Sequence, residues 1–193
     1  MKLSPGLDEK IKQVVNLYSD LDKNIKLFKQ NNQIDCIAGC GHCCANKYIE
    51  ATSLEFYPLA KFLLETKQAE KYLILLEEQE ENSICLFYSY NSDSVSEGFC
   101  SIYANRGLIC RLFGFSYNMD KLGHPRYITC KPIKKNYHLD QLDSSAFVLM
   151  TDYNQRLNEI DQIEGKRYLP LNTAILEAIR KVEYDDYLMS LSV

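Results

Sequence analysis

The sequence predicts a mainly α protein, a small helical domain built around an irregular cysteine-rich core. Three observations carry this. Apolar residues recur at three- and four-residue steps towards both ends of the chain, the signature of amphipathic helices. The stretch from 81 to 140 lacks that period and is punctuated by Gly98, Gly107, Gly114, Gly123, Pro125 and Pro132. Four of the eight cysteines crowd together as Cys36, Cys40, Cys43 and Cys44, while Cys85, Cys100, Cys110 and Cys130 follow singly. A chain of 193 residues can bury one sizeable core, so 1–193 reads as a single domain with a cysteine-cluster region at 36–130.

The first helix runs from Leu7 to about Asn31, with Leu7, Ile11, Val14, Val15, Leu21, Ile25 and Phe28 on its apolar face. Asn31, Asn32 and Gln33 end it. The dense cysteine motif follows, and Gly39 and Gly41 beside Cys40 permit the tight turns that short-range ligands need, so this segment reads as a loop. A second helix starts at Thr52, where Glu55 completes a capping box, or nearer Tyr57, because Pro58 suits a first helical turn. Leu59, Phe62 and Leu63, then Ala69, Leu73 and Leu76, continue as two helices broken near Thr66. The eight acids and three lysines from Glu50 to Glu81 read as their wet side. Ala146, Leu149, Met150, Tyr153, Leu157 and Ile160 mark a further long helix ending before Gly165. Asn172 is the expected N-cap of the last helix, with Leu171 and Leu176 as a hydrophobic staple and Ile175, Ile179 and Val182 facing inward.

Composition narrows the function classes. Met1 to Gly6 runs into Asp8 and Glu9 without the apolar core of a signal peptide, and the longest apolar run, Tyr72 to Leu76, is far short of the roughly 18 residues of a membrane span. A cytoplasmic protein without a membrane partner is expected. In a reducing compartment, eight cysteines are better explained by metal ligation than by disulfides, although a disulfide scaffold is the alternative. Cys85, in the apolar run Ile84 to Tyr88, best suits a buried hydrophobe. Net charge is -4, yet Arg106 to Lys135 holds seven bases against Asp120 alone. Those bases can offset thiolate charge and lower cysteine pKa. Nucleic acid is not expected, because the chain as a whole is acidic and lacks basic–aromatic interleaving.

Four thiolates around zinc or iron need tetrahedral directions, which adjacent side chains reach poorly, so Cys43 and Cys44 need not serve one ion. The eight cysteines allow two four-sulfur centres, or one centre with the remainder structural or labile. Cys36-x3-Cys40-x2-Cys43 also coincides with the three-cysteine signature of radical S-adenosylmethionine enzymes, but the expected barrel has no alternating strands and helices to build it. His42 sits inside the motif and can ligate or merely hydrogen-bond a sulfur; His124 and His138 lack ligand spacing. No metalloprotease, phosphate-loop, nucleophile-triad or dinucleotide motif is present.

The ordered set Cys36-x3-Cys40-Gly-His-Cys43-Cys44, Cys85-Leu-Phe, Cys100-Ser-Ile-Tyr103-Ala-Asn-Arg106, Cys110-Arg111-Leu-Phe113 and Cys130 resembles the YkgJ-type cysteine-cluster family. These are bacterial proteins described as zinc- or iron-chelating, and related clusters occur in flagellin lysine methylases. The resemblance implies a metal role for all eight cysteines, with Tyr103, Arg106 and Arg111 beside the cofactor or in structural positions. It departs at Gly107, where the family usually has proline and a looser turn is therefore expected, and in its first spacing of three residues. The implied cofactor is zinc or an iron–sulfur cluster, and the role structural, redox or metal-handling. The competing expectation is a metal- or cluster-dependent accessory enzyme with a protein partner as substrate.

Overall fold

The computed structural model describes residues 1–36, 41–80, 82–90, 98–139, 142 and 148–192. Cys40 and Gly39 lie outside them. The long helix α1 (Pro5–Asn32) opens with Pro5 in its first turn and Ser4 accepting from the Leu7 N–H, and ends on Gln33 in the left-handed region. Its buried stripe adds Leu17 and Tyr18 to the predicted face, whereas Val15 points outward and is 47% exposed. That correction follows from the helical period: Val14 already occupies the inward position.

Strand β1 (Glu50–Thr52) leads into a 3-10 turn, Ser53–Phe56, and then helix α2 (Tyr57–Glu65). Both sequence readings of this start hold, since Thr52 and Glu55 form the capping box and the α-helix begins at Tyr57. Helix α3 (Ala69–Glu77) follows the break at Thr66. The middle of the chain consists of short elements: the hairpin β2 (Tyr88–Tyr90) and β3 (Gly98–Cys100), helix α4 (Leu108–Leu112), the antiparallel pair β4 (Ser116–Met119) and β5 (Pro125–Ile128), and helix α5 (Lys131–Asn136). In the first hairpin Tyr88 lies opposite Cys100.

The predicted long helix begins later than its apolar spacing indicated. Val148–Leu149 forms β6, parallel to β4, and α6 spans Met150–Ile160; Ala146 lies outside the described residues. Strand β7 (Tyr168–Pro170) pairs antiparallel with β1, and α7 (Leu171–Leu191) closes the fold. The last helix therefore starts one residue before Asn172, which is not its N-cap. The start is held elsewhere, because the Leu171 N–H donates to the Ile49 carbonyl at 2.9 Å.

The core lies where α1, α2 and α7 converge: Leu21, Leu54, Phe56, Leu59, Leu63, Ile175, Ile179 and Val182 are all essentially buried. At about 1.5–3 kcal/mol for each buried aliphatic or aromatic side chain, this layer supplies a firm wall against which the short middle elements pack. Among the described residues no helix is long and apolar enough to cross a membrane.

Candidate metal centre

Against that wall lies a cavity of about 280 Å³ whose lining includes Cys43, Cys44, Cys85, Cys100, Cys110 and Cys130. Each thiol arrives on a different local device. Cys43 and Cys44 sit in a turn closed by the Cys44 N–H donating to the Gly41 carbonyl at 2.8 Å. Gly41 has a φ of 50°, and a Cβ there would overlap the Gly98 carbonyl and the Tyr88 ring, so only glycine lets this turn press onto the hairpin. Cys85 precedes β2, Cys100 ends β3, Cys110 lies in α4 and Cys130 stands at the N-cap of α5. The apolar side of the cavity includes Phe56, Leu171 and Ile175 from the core layer.

The Cys43 and Cys44 sulfurs are 3.8 Å apart. Cys44 is also hydrogen-bonded to the Cys100 side chain, and these two contacts raise its pKa strongly. The Cys43 pKa is lowered, first by its hydrogen bond with Cys44 and further by the Arg106 charge. Cys100 is lowered in the same way, by Cys44 and also by Arg106. Thiolate character is thus favoured at Cys43 and Cys100 over Cys44. Burial pushes the Cys85 thiol up to about 12 and carries Cys110 well above the ordinary range.

Arg106 lines the cavity together with Tyr103, and its guanidinium lies over the Tyr103 ring at 3.9 Å. Its Nε is buried without an acceptor among the described residues, and the Thr129 hydroxyl on the same wall is likewise buried without a partner among them. A buried donor beside several sulfurs is what an anionic thiolate centre requires, so the donor set fits a soft or borderline metal. Among the described residues, no three His, Cys, Asp or Glu side chains are already converged as a complete ligand set.

Arg111 does not line the cavity. It is 7% exposed, donates to the carbonyls of Arg106 and Ala104, pairs with Asp22 of α1 at 2.5 Å and stacks over Tyr18. Its work is to fasten the Arg106 loop to the long helix. Cys36 is exposed and absent from the lining, His42 lines it, and His124 and His138 are exposed and do not line it.

Two residues central to this framework make long-range contacts that local sequence spacing does not foretell. Glu55, assigned to a wet helical face, is 4% exposed; its carboxylate accepts from the Thr52 and Ile109 N–H groups at 3.0 and 2.8 Å. It thereby anchors the first turn of α4, which carries Cys110. Asn172, read as a helix cap, instead bonds the backbone around Cys85: its Oδ1 accepts from Leu86 N–H at 3.0 Å and its Nδ2 donates to the Ile84 carbonyl at 2.9 Å. The capping-box spacing announced Glu55, but not its second partner more than fifty residues away.

The family model described as "CxxCxxCC: Putative zinc- or iron-chelating domain" matches residues 35–139, more than half of the chain. No curated protein and no solved structure matches.

Proposed function

We propose, for a chain that belongs to the CxxCxxCC family of zinc- or iron-chelating domains, that Cys43, Cys44 and Cys100 form the nucleus of its metal centre and that Cys85, Cys110 and Cys130 supply the remaining thiolates. The observation that carries this reading is the Cys43–Cys44 separation of 3.8 Å. A tetrahedral ion with metal–sulfur bonds of about 2.3 Å sets its sulfurs about 3.8 Å apart, so the pair already spans one edge of such a site. Sequence geometry leaves open whether the adjacent cysteines share an ion; the tight turn at Gly41 supports their doing so.

The same edge bears on the kind of centre. A four-iron cluster held by four cysteines takes one thiolate per iron, whereas a single zinc or iron, or one iron of a two-iron cluster, takes two or more. The pair therefore favours the latter group. When bound, the metal supplies a cationic centre that keeps the thiolates deprotonated. The protein's own residues set the rest: Cys44 must surrender its proton, Arg106 offsets the remaining negative charge, and the core wall limits water.

The role we assign is structural, redox or metal-handling, exercised through 36–130 within a single domain. A second reading, an accessory enzyme acting on a protein, draws on the cavity volume of about 280 Å³, which exceeds what an enclosed ion needs. Anaerobic purification followed by zinc, iron and sulfide analysis tests the assignment. About one or two metal equivalents lost in Cys43→Ser and Cys44→Ser support it; full occupancy in the double variant contradicts it.

A further inference from the structure

We infer that Asn172 is a positioning residue for the metal centre: from the first turn of α7 it fixes the backbone on both sides of Cys85. This rests on Cys85 being one of the ligating thiolates. Asn172 is 8% exposed, and its amide is fully committed to one short segment. Beyond the bonds to Leu86 and Ile84, Nδ2 donates to the Ser83 hydroxyl at 2.9 Å and stands 3.4 Å from Gln79 Oε1, while Ser83 donates to that same oxygen at 2.6 Å.

Nothing in the helix itself asks for asparagine here. The first N–H of the helix, that of Leu171, is taken by the Ile49 carbonyl, the Asn172 side chain makes no cap hydrogen bond, and asparagine is a poor helix former away from a cap. Its neighbours Leu171 and Ile175 on the same helix line the cavity. The Cys85 carbonyl in turn accepts from the Tyr88 N–H at 3.0 Å, which sets the start of the strand opposite Cys100. A residue outside the 35–139 family segment thus governs where one thiol of that segment stands.

The test uses the full chain loaded with zinc, following metal transfer to a chelator and alkylation of Cys85 by peptide mass spectrometry. Asn172→Ala should accelerate both by about tenfold, the usual scale for losing a partner behind a metal ligand. Asn172→Asp, which keeps the acceptor for Leu86 and loses the donors, should fall between it and the parent and stays readable if the alanine variant folds poorly. Ile179→Val thins the same helix's core without touching the latch and should change neither rate appreciably. In a Cys85→Ser background, Asn172→Ala should add nothing to zinc transfer. Equal effects of Ile179→Val and Asn172→Ala, or an undiminished Asn172→Ala effect without Cys85, would overturn the inference. If the chain takes up no zinc, the metal assignment fails separately, and unchanged Cys85 alkylation in metal-free Asn172→Ala would still reject the latch.

Discussion

Glu55 Oε2 accepts a hydrogen bond from the Ile109 N–H at 2.8 Å, one residue before Cys110. Its other oxygen takes the Thr52 N–H at 3.0 Å, so one buried carboxylate joins the end of β1 to the start of α4. The long-range framework of the centre is therefore built from polar atoms that the cysteine motif does not announce.

Removing this joint leaves two backbone donors without an acceptor in a packed interior. Glu55→Ala should destabilise the metal-free protein by about 3 kcal/mol in urea unfolding, and Glu55→Gln by less because one oxygen remains. Burial is the main cause of the raised Glu55 pKa. A carboxyl raised in the folded state contributes stability that is present below the ordinary glutamate range and lost as pH rises through the raised folded value. The advantage of the parent over Glu55→Gln should accordingly shrink with increasing pH across that window; a constant difference would contradict it.

Arg106 lowers the pKa of both Cys43 and Cys100. Arg106→Gln should weaken zinc affinity about tenfold in chelator competition at neutral pH. The deficit should narrow at alkaline pH, where both thiolates form without help. A pH-independent deficit would mean that Arg106 acts only on the loaded centre.

Gly107 adopts a φ of -69°, a value proline accepts, yet a Cβ there would lie 2.7 Å from the buried Phe56 ring. Close packing, not looseness, is what the glycine provides at this turn. Gly107→Ala should cost about 1–3 kcal/mol in thermal or urea unfolding, and Gly107→Pro should not stabilise despite its compatible φ. A stabilising proline would show that Phe56 yields readily.

How much of this was legible in the sequence differs by element. The face of α1, the Thr52–Glu55 box and the inward Ile175, Ile179 and Val182 follow from local period and spacing, and the structure carries them. Cys85 looked like a buried hydrophobe because its neighbours are apolar; it is buried, but on the cavity wall. Asn172 has the composition of a cap and the position of a latch, a difference set by partners at Ser83 to Leu86 that no local window contains. The strands of the middle segment, three or four residues each, are too short to show a period of two. Cys40 lies outside the described residues, so its part in the centre stands as the motif alone presents it.

Metal removal should loosen the middle of the chain more than the terminal helices, since the middle elements surround the cysteine-lined cavity and the helices pack on aliphatic side chains. In hydrogen exchange, amides of 83–90 and 98–112 should lose protection in the metal-free form while those of Leu17 to Ile25 and Ala174 to Val182 keep theirs. Equal protection of 83–112 in both forms would point to metal held loosely on a preformed scaffold.

The most direct measurement is X-ray absorption on the anaerobically loaded protein, read beside the triple variant Cys43→Ser, Cys44→Ser and Cys100→Ser. We expect a shell dominated by sulfur at about 2.3 Å, and loss of metal or of most of that shell in the variant. A shell of nitrogen and oxygen, or a sulfur shell unchanged when these three thiols are gone, would contradict the assignment.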